Sequence, residues 1–341
     1  RRAAASSGHS RTMSDRGPDA AAFADTARQY RHFAEREARG RSPLYEALAT
    51  VVASDLEVLA FLQTLPPAKR QPNLLLAAVR HLFGTPTDGQ DFRRRLMSGL
   101  AAVKRLMMER STQTNEPARC ATLLPVLARL PQPLALIEVG ASAGLCLLPD
   151  LYGYDYGRVR IAAEGTAAPV FPCIANAATP LPATPPQVAW RAGLDLHLVD
   201  AIDPQKRTWL ESLVWPEQTD RLTRLRAALD VACAMAPRIM AGDLRTDLAA
   251  LAAEAPQRAT LVIFHTAVLS YVVSQQERDA FAETARRLAG CWISNEAPAV
   301  FPDIAARAGR TAPTGRFLLS VDGLPTAWTD PHGAAIDWIG A

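Results

Sequence analysis

Apolar residues recur at helical spacing over residues 21–130, and this pattern predicts an almost wholly helical segment. The first helix shows the repeat at Phe23, Ala27 and Tyr30, which stand three or four positions apart. Serine followed by proline at 42–43 is typical of a helix start, because serine caps and proline fits the first turn. We predict helices over residues 21–39, 44–65, 73–83, 91–109 and 116–130.

A different pattern begins at Leu134, where short apolar runs alternate with helical segments. The run 134–139 ends in a glycine-rich turn, which is typical of a buried parallel strand. Alternation of strands and helices predicts a parallel sheet covered on both faces. Residues 160–187, rich in Pro and Ala, are expected to form an inserted loop. Further strands are predicted at 188–194, 238–241, 260–265 and 291–294, with a closing hairpin at 317–321 and 326–328 and helices at 218–233, 244–253 and 275–289.

The chain is long and apolar enough for a large core, with 341 residues of which 49% are hydrophobic. We place a helical N-terminal domain or cap at 21–130 and an α/β domain at 131–341. Residues 1–20 are rich in Arg, Ser, Ala and Gly and lack the apolar core of a secretory signal. We therefore expect a disordered leader there.

Composition argues against several classes of partner. The chain carries 37 Lys+Arg against 34 Asp+Glu, and its basic residues are scattered, so no nucleic-acid partner is expected. No apolar stretch approaches the roughly 18 residues that span a membrane, so no membrane partner is expected. The five cysteines are widely spaced without a CxxC pair. This pattern argues against a metal site or disulfide framework and favours the reducing cytoplasm.

The segment 138–144, Glu-Val-Gly-Ala-Ser-Ala-Gly, follows a predicted strand and is expected to open a helix. A dinucleotide-binding loop would need glycine where Ser142 and Leu145 stand, which disfavours NAD or FAD. A hydrolase nucleophile elbow, G-x-S-x-G, matches 140–144 with Ser142 as the nucleophile. That fold requires strands and an oxyanion loop upstream, where helices are predicted. A strand-to-helix turn that binds no ligand is a further alternative.

The loop fits best the E/D-x-G-x-G-x-G pattern of S-adenosylmethionine-dependent methyltransferases. Glu138, Gly140 and Gly144 match this pattern, and Ser142 replaces its middle glycine. A carboxylate favours the amine and sulfonium charges of the cofactor, and glycine lets the backbone approach it. We therefore predict a Rossmann-like class I methyltransferase sheet, seven-stranded and mostly parallel, with an N-terminal helical domain.

A set of short motifs extends over much of the chain, at 40–45, 70–73, 113–116, 138–144, 154–157, 191–195, 214–218, 242–243, 264–265 and 330–333. Together these motifs resemble an uncharacterised bacterial domain-of-unknown-function family with a methyltransferase-like fold. The resemblance implies the fold but little about the reaction. Cys146 and His197 each stand where the family usually has Asn, so altered or lost cofactor binding is an alternative for this member.

Four residues outside the loop are candidates for contacting the cofactor. In the methyltransferase pattern an acid at the end of the second strand binds the ribose hydroxyls, and we assign Asp195 first and Asp200 second. Asp243 would accept the adenine amino group, or alternatively cap the helix that follows it. Asn115 lies in the polar run 113–116, which is expected either to contact the ligand or to cap a helix.

Catalytic candidates lie where strands end. His265 ends the strongest predicted strand, at the sheet edge where ligands gather, and histidine can serve as a general base near neutral pH. The alternative is a buried histidine hydrogen-bonded to backbone. Glu296 is a weaker candidate at the same edge, and Arg119 is expected to hold a substrate carboxylate or sulfate.

These assignments predict transfer of a methyl group from S-adenosylmethionine to a small-molecule acceptor, with His265 as the base. Proximity would supply most of the rate, because the sulfonium is already activated. One alternative is a cofactor-independent enzyme that performs elimination or ring closure on a small metabolite. Another is a non-catalytic subunit of a hetero-complex, and both homo- and hetero-oligomers are compatible with the sequence.

Overall fold

A computed structural model describes residues 18–163, 167–309 and 311–340 of the chain. The described residues form two compact units. The first comprises the residues up to Thr112 together with four residues, Trp215–Gln218, and the rest belong to the second. The predicted leader at 1–20 lies mostly outside the described residues, and the first helix begins at Pro18.

The first unit is helical throughout, as the apolar spacing predicts. Two predicted helices are each divided in two, because Asp55 caps a new helix through the amides of Glu57 and Val58 and because Gly99 interrupts the other. The helices are α1 (Pro18–His32), continued by a π-helical stretch (Phe33–Ala38), α2 (Pro43–Ser54), α3 (Leu56–Gln63), α4 (Pro72–Phe83), α5 (Gly89–Ser98) and α6 (Leu100–Glu109), with a 3-10 turn at Pro67–Lys69.

The segment Trp215–Gln218 is remote in sequence from the other residues of the first unit but packs against them. The Trp215 ring lies 5.6 Å from that of Phe33 and 5.9 Å from that of Tyr45, measured between centroids. Its Nε1 donates a hydrogen bond of 2.9 Å to Oδ1 of Asn73. A tryptophan with its polar atom satisfied contributes a large buried apolar area at little polar cost.

Glu217 completes the cap of α2. Ser42 accepts the Tyr45 N–H at 3.1 Å, and its own hydroxyl donates to Glu217 Oε2 at 2.6 Å. The other carboxylate oxygen of Glu217 accepts the Leu44 N–H at 3.0 Å. Two of the amides that a helix start leaves unpaired are therefore satisfied, one of them by a residue about 170 positions away.

A nine-stranded sheet forms the centre of the second unit, in the order β5-β12-β11-β10-β9-β8-β1-β6-β7. Its strands are β1 (Leu134–Val139), β5 (Ile174–Ala175), β6 (Val188–Asp195), β7 (Arg238–Ala241), β8 (Thr260–Thr266), β9 (Cys291–Glu296), β10 (Phe317–Val321), β11 (Leu324–Thr329) and β12 (Ala335–Trp338). A small separate sheet contains β2 (Gly153–Asp155), β3 (Arg160–Ile161) and β4 (Val170–Pro172). The helices are α7 (Cys120–Leu127), α8 (Pro204–Leu213), α9 (Thr219–Met235), α10 (Leu248–Ala252), α11 (Gln275–Leu288) and α12 (Pro302–Ala306).

The strand order reverses at β1. From β1 the chain first adds β6 and β7 on one side and then β8 and β9 on the other, all parallel. The next three strands form an antiparallel meander. Ligands in open α/β sheets bind beyond the carboxyl ends of the strands where the order reverses. The fold therefore predicts a ligand site at the end of β1, where Val139 is paired with Leu194 on one side and His265 on the other.

Both faces of the sheet are covered, and all six residues of β1 are buried. Side chains alternate between the faces, so neighbouring residues of β1 enter different clusters. We call the side that contains Leu136 and Phe264, packed with residues of α7 and α9, the first face. The second face contains Ile137 and Ile263, packed with residues of α10, α11 and α12.

The mixed α/β class with a mostly parallel sheet is confirmed, but the predicted number of seven strands is wrong. Two short strands, β5 and β12, extend the sheet beyond the predicted hairpin. The expected inserted loop at 160–187 contains β3, β4 and β5. Residues 113–130, predicted as part of the helical domain, group with the second unit. Within the described ranges, no helix is long and apolar enough to cross a bilayer.

Replacing Glu217 with Ala tests the cap of α2. We expect the free energy of unfolding to fall by about 1 kcal/mol, because a buried hydroxyl donor and one helix amide lose their acceptor. Hydrogen exchange at the Leu44 amide should accelerate, and urea unfolding measures the stability. Glu35→Ala, an exposed glutamate of the same unit, is the control. Unchanged protection of Leu44 would show that Glu217 does not cap the helix.

Candidate functional site

The loop after β1 turns sharply at the predicted glycines. Gly140 and Gly144 have φ of +76° and +70°, and Ser142, with φ of +49°, takes the left-handed conformation that side chains disfavour. The Gly140 N–H donates to the Leu194 carbonyl at 2.8 Å, which ties the loop to β6. The expected helix is reduced to a 3-10 turn at Leu145–Leu147, so that expectation is wrong.

Glycine is required at 140 by packing within the chain. A side-chain carbon built on Gly140 would lie 2.4 Å from Cγ2 of Val268, which follows β8. Any other residue would displace Val268 in addition to straining the backbone. The glycine of the motif therefore has a structural reason that the sequence does not reveal, namely close contact between the ends of β1 and β8.

Asp195 ends β6 next to this loop. Its Oδ2 accepts the Ser142 N–H at 2.7 Å, and its Oδ1 accepts the His197 N–H at 2.7 Å. An ionised carboxylate has about four acceptor positions, so each oxygen keeps capacity for another donor. Asp195, the residue predicted to bind the ribose, thus lies beside the predicted cofactor loop.

Two amide side chains from the run 113–116 hold the other side of the loop. Asn115 Nδ2 donates to Ser142 Oγ at 3.0 Å, while its Oδ1 accepts the Ala143 N–H at 3.1 Å. The Ser142 hydroxyl donates to Gln113 Oε1 at 3.2 Å. No described histidine is hydrogen-bonded to Ser142, so the arrangement lacks the base that a hydrolase nucleophile requires.

Glu138 is buried in β1 on the first face, with only 4% of its surface exposed. Burial raises the pKa of its carboxyl well above the usual range, and nearby Cys146 and Asp195 add to this while Arg119 opposes it. Among the described residues, its Oε2 has no hydrogen-bond partner. A buried polar atom without a partner is costly, which makes Glu138 a place where a ligand would improve the site.

Arg119 is a buried cation on the same face. Its Nε donates to the Pro331 carbonyl at 2.8 Å, and its Nη1 lies 3.3 Å from the carbonyl and hydroxyl oxygens of Thr266. Among the described residues it has these hydrogen bonds but no ion pair. The Nε–H of Arg119 is therefore already bonded to Pro331. The bidentate contact predicted for a substrate anion can use only Nη1 and Nη2.

Glu116 is a buried carboxylate next to Arg119, with two partly exposed basic neighbours. Its carboxylate accepts the Nε–H of Arg221 at 2.6 Å and lies 3.5 Å from Nδ1 of His332. Burial raises the pKa of Glu116, but the hydrogen bond from His332 and the charges of Arg221, His332 and Arg119 outweigh it and hold the pKa at about 2. Glu116 is therefore ionised at neutral pH and acts as an internal counter-charge.

His265 and Glu296 lie on the opposite face of the sheet from Glu138. The fully buried imidazole stacks near Trp292, with ring centroids 5.9 Å apart, and its Nδ1 lies 2.8 Å from Glu296 Oε1. The same carboxylate oxygen accepts the N–H groups of Val268 and Leu269, at 3.0 and 3.1 Å. This pair therefore fixes the turn after β8, and the sheet separates it from Arg119.

Asp243 is directed to a neighbouring arginine. Its carboxylate forms a hydrogen-bonded ion pair with Arg245, which lowers the pKa of Asp243. Its Oδ1 also accepts the Arg245 N–H at 2.9 Å, and its own N–H donates to Asp247 Oδ2 at 2.7 Å. Asp243 therefore caps the turn at 244–247, and the helix itself begins at Leu248, later than predicted.

The structure thus brings together one part of the predicted site and separates another. The loop, Asp195, Asn115, Glu138 and Arg119 meet at the carboxyl end of β1 on the first face. Of the two positions that differ from the family pattern, Cys146 is buried beside Glu116, whereas His197 is exposed next to Asp195. Sequence reasoning missed Thr266 and Val268, because nothing in their local sequence signals contact with Arg119 or Gly140.

The fold and this site define a mixed α/β protein with a candidate ligand site at the switch point of its sheet. The chain belongs to a bacterial family described as "Uncharacterized protein conserved in bacteria (DUF2332)", whose model matches residues 27–338. The resemblance to an uncharacterised bacterial family is therefore confirmed.

No curated protein matches the chain. One solved structure that it is similar to is that of a possible exported protein from Bordetella parapertussis, with 14% identity over 86% of this chain and 77% of that one. The TM-score of that match is 0.29, too low to support an inference about fold.

The Glu116→Gln variant tests, through the pH dependence of stability, whether the buried carboxyl of Glu116 is ionised. A folded-state pKa of about 2 lies below the unfolded value near 4.5, so the unfolded chain binds more protons between them. The stability that Glu116 contributes is present above about pH 4.5 and is lost as pH falls through about 2. We expect wild type to exceed the variant by about 3 kcal/mol in urea unfolding at neutral pH, and the gap to close on acidification. A gap independent of pH would contradict the ionised assignment.

Glu138→Gln should behave in the opposite way. The folded-state pKa is raised, so folding retains a proton that the unfolded chain loses above its own pKa near 4.5. Wild-type stability should therefore decline relative to the variant as pH rises above about 4.5. Urea unfolding at three pH values up to 8 measures this, with exposed Glu283→Gln as the control. A variant that loses stability relative to wild type as pH rises would show that Glu138 is ionised in the folded protein.

Proposed function

We propose that the second unit binds S-adenosylmethionine at the carboxyl end of β1 and transfers its methyl group to a small-molecule acceptor. One observation carries the proposal. The glycine loop at the switch point is joined by the Ser142 N–H to the carboxylate that ends the neighbouring strand, Asp195, at 2.7 Å. An adenosyl ligand that binds where the strand order of a parallel sheet reverses needs a glycine loop and an acid at the end of the neighbouring strand.

Asp195 fits the ribose of such a ligand. The carboxylate is half-buried at the sheet edge, and two backbone amides already fix its orientation. Because each oxygen can accept a second donor, two vicinal hydroxyls can bind without breaking either existing hydrogen bond. A pre-oriented acceptor loses little conformational entropy when the ligand binds.

Glu138 fits the cationic part of the ligand. Burial raises the pKa of its carboxyl and so favours the neutral form in the free protein, and Oε2 lacks a hydrogen-bond partner in the described part of the chain. A cation placed nearby favours the ionised form and offsets the desolvation that opposes it. The cofactor supplies an activated methyl group on sulfonium, and the protein residues position it and the acceptor.

The position of Arg119 suits an anionic group of the bound ligands. Its charge is buried without an ion-pair partner among the described residues and lies on the face of Glu138. A carboxylate would therefore meet a desolvated cation whose orientation two backbone carbonyls already fix. His265 and Glu296 lie across the sheet, so we assign them to positioning the turn at Val268, which contacts Gly140.

One observation favours a second function, cofactor-independent chemistry at the same site. The amides of Ser142 and Ala143, which a loop would offer to a ligand, already donate to Asp195 and Asn115. The loop is also followed by a three-residue turn rather than by a helix. A small metabolite held by Arg119 and Glu138 would need neither the amides nor the helix.

Calorimetric titration with S-adenosylmethionine and its demethylated product tests the proposal. We expect micromolar binding that Asp195→Ala weakens at least about tenfold, because two hydroxyls lose a charged acceptor. Asp200→Ala removes an exposed carboxylate five positions further along the same loop and should change little. Titration in buffers of different ionisation enthalpy should show that wild type releases a proton when S-adenosylmethionine binds. The Glu138→Gln variant should release none. Failure of wild type to bind either compound would reject the methyltransferase and favour the cofactor-independent function.

A further inference from the structure

A second cleft lies in the same unit, on the second face of the sheet. It has a volume of about 240 Å³ and opens between α11, α12 and the turn that joins β10 to β11. Its lining includes Trp292 and Phe301. Pockets for drug-sized ligands start at about 300 Å³, so this cleft suits a smaller molecule.

Two arginines converge at one end of the cleft. A carbon built on Gly323 would lie 3.6 Å from Nη1 of Arg286 and 3.8 Å from Nη2 of Arg307, so both guanidinium groups reach the same point. Arg307 donates to the Gly323 carbonyl at 2.8 Å, and the Arg286 guanidinium lies 6.0 Å from the centroid of the Trp292 ring. Neither arginine forms an ion pair with a described residue. Two like charges brought close together repel each other, and an anion bound between them would relieve that repulsion.

The end of the cleft where the arginines meet is held firmly. Asp322 Oδ1 accepts the Trp292 N–H at 2.8 Å, and the Asp322 N–H donates to the Trp292 carbonyl at 2.8 Å. This pair of hydrogen bonds fixes the turn that carries Gly323 to the strand beneath it. Arginines that meet over a fixed turn can bind an anion with less loss of entropy than arginines on a mobile loop.

Acidic residues limit the charge of the ligand. Asp279, Glu283 and Asp303 also line the cleft. Their charges would repel a polyphosphate or a nucleic-acid strand that extended along the cleft, which favours a ligand with a single anionic group.

We propose that this cleft is a binding site for a small molecule with a single anionic group, a carboxylate or a phosphate, held by Arg286 and Arg307. The site is separate from the loop after β1 and does not depend on the function proposed for it. Its ligand rests its anionic group on the two guanidiniums above the Gly323 turn.

The test follows the arginine Nε–Hε signals in NMR titrations with inorganic phosphate, acetate and tripolyphosphate at constant ionic strength. We expect phosphate or acetate to shift the Arg286 and Arg307 signals saturably. Arg286→Gln and Arg307→Gln should each weaken binding at least about tenfold, because each removes a charged donor. Arg287→Gln is the matched control, because it removes the same charge from the same helix outside the cleft.

Three results would overturn the proposal. One is the absence of any saturable shift in wild type. Another is equal weakening by Arg287→Gln, which would indicate general attraction to the helix surface. The third is tighter binding of tripolyphosphate than of phosphate and acetate, which would contradict selection for one anionic group. All three arginines are exposed, so the variants are expected to fold normally.

Discussion

The contact between the ends of β1 and β8 holds the candidate site in place. Val268 occupies the space that a side chain at residue 140 would fill, so the chain can turn there only with glycine. Glu296 fixes the turn that carries Val268, because its carboxylate accepts two amides of that turn and contacts His265. Residues on the second face thereby set the position of a loop whose polar groups open toward the first face.

The first face also contains two buried carboxyl groups whose pKa values are shifted in opposite directions by their surroundings. Glu116 has a direct partner in Arg221 and stays ionised, whereas Oε2 of Glu138 has no hydrogen-bond partner among the described residues and burial raises the pKa of its carboxyl. The charge of Arg119 acts on both carboxyl groups. Because a paired carboxylate is already satisfied, only the unpaired one can gain from a ligand. This difference makes Glu138, and not Glu116, the candidate for binding a ligand, at two positions that the sequence shows simply as Glu.

Much of the fold could be predicted because its signals are local. The apolar runs at β1 and β7 have the predicted bounds, and the change from helical to alternating patterns correctly marks where the sheet begins. The two-residue strand β5 carries no such signal, and β12 is short as well. The inclusion of Trp215–Gln218 in the first unit depends on contacts with Ser42 and Asn73, which no local pattern reveals.

The arrangement of the candidate site could be predicted to the same extent and for the same reason. A motif that follows a strand locates the loop, and a strand-ending acid locates Asp195, since both depend on the carboxyl edge of a parallel sheet. Successive side chains of a strand point to opposite faces, so the face on which a residue lies depends on the register of its strand with the neighbouring strand. This register determines the faces on which Glu138 and His265 lie. They occupy neighbouring strands at positions one residue apart in register, which is enough to place them on opposite faces. A general base for an acceptor bound near Glu138 must therefore come from the first face, the bound ligand or solvent.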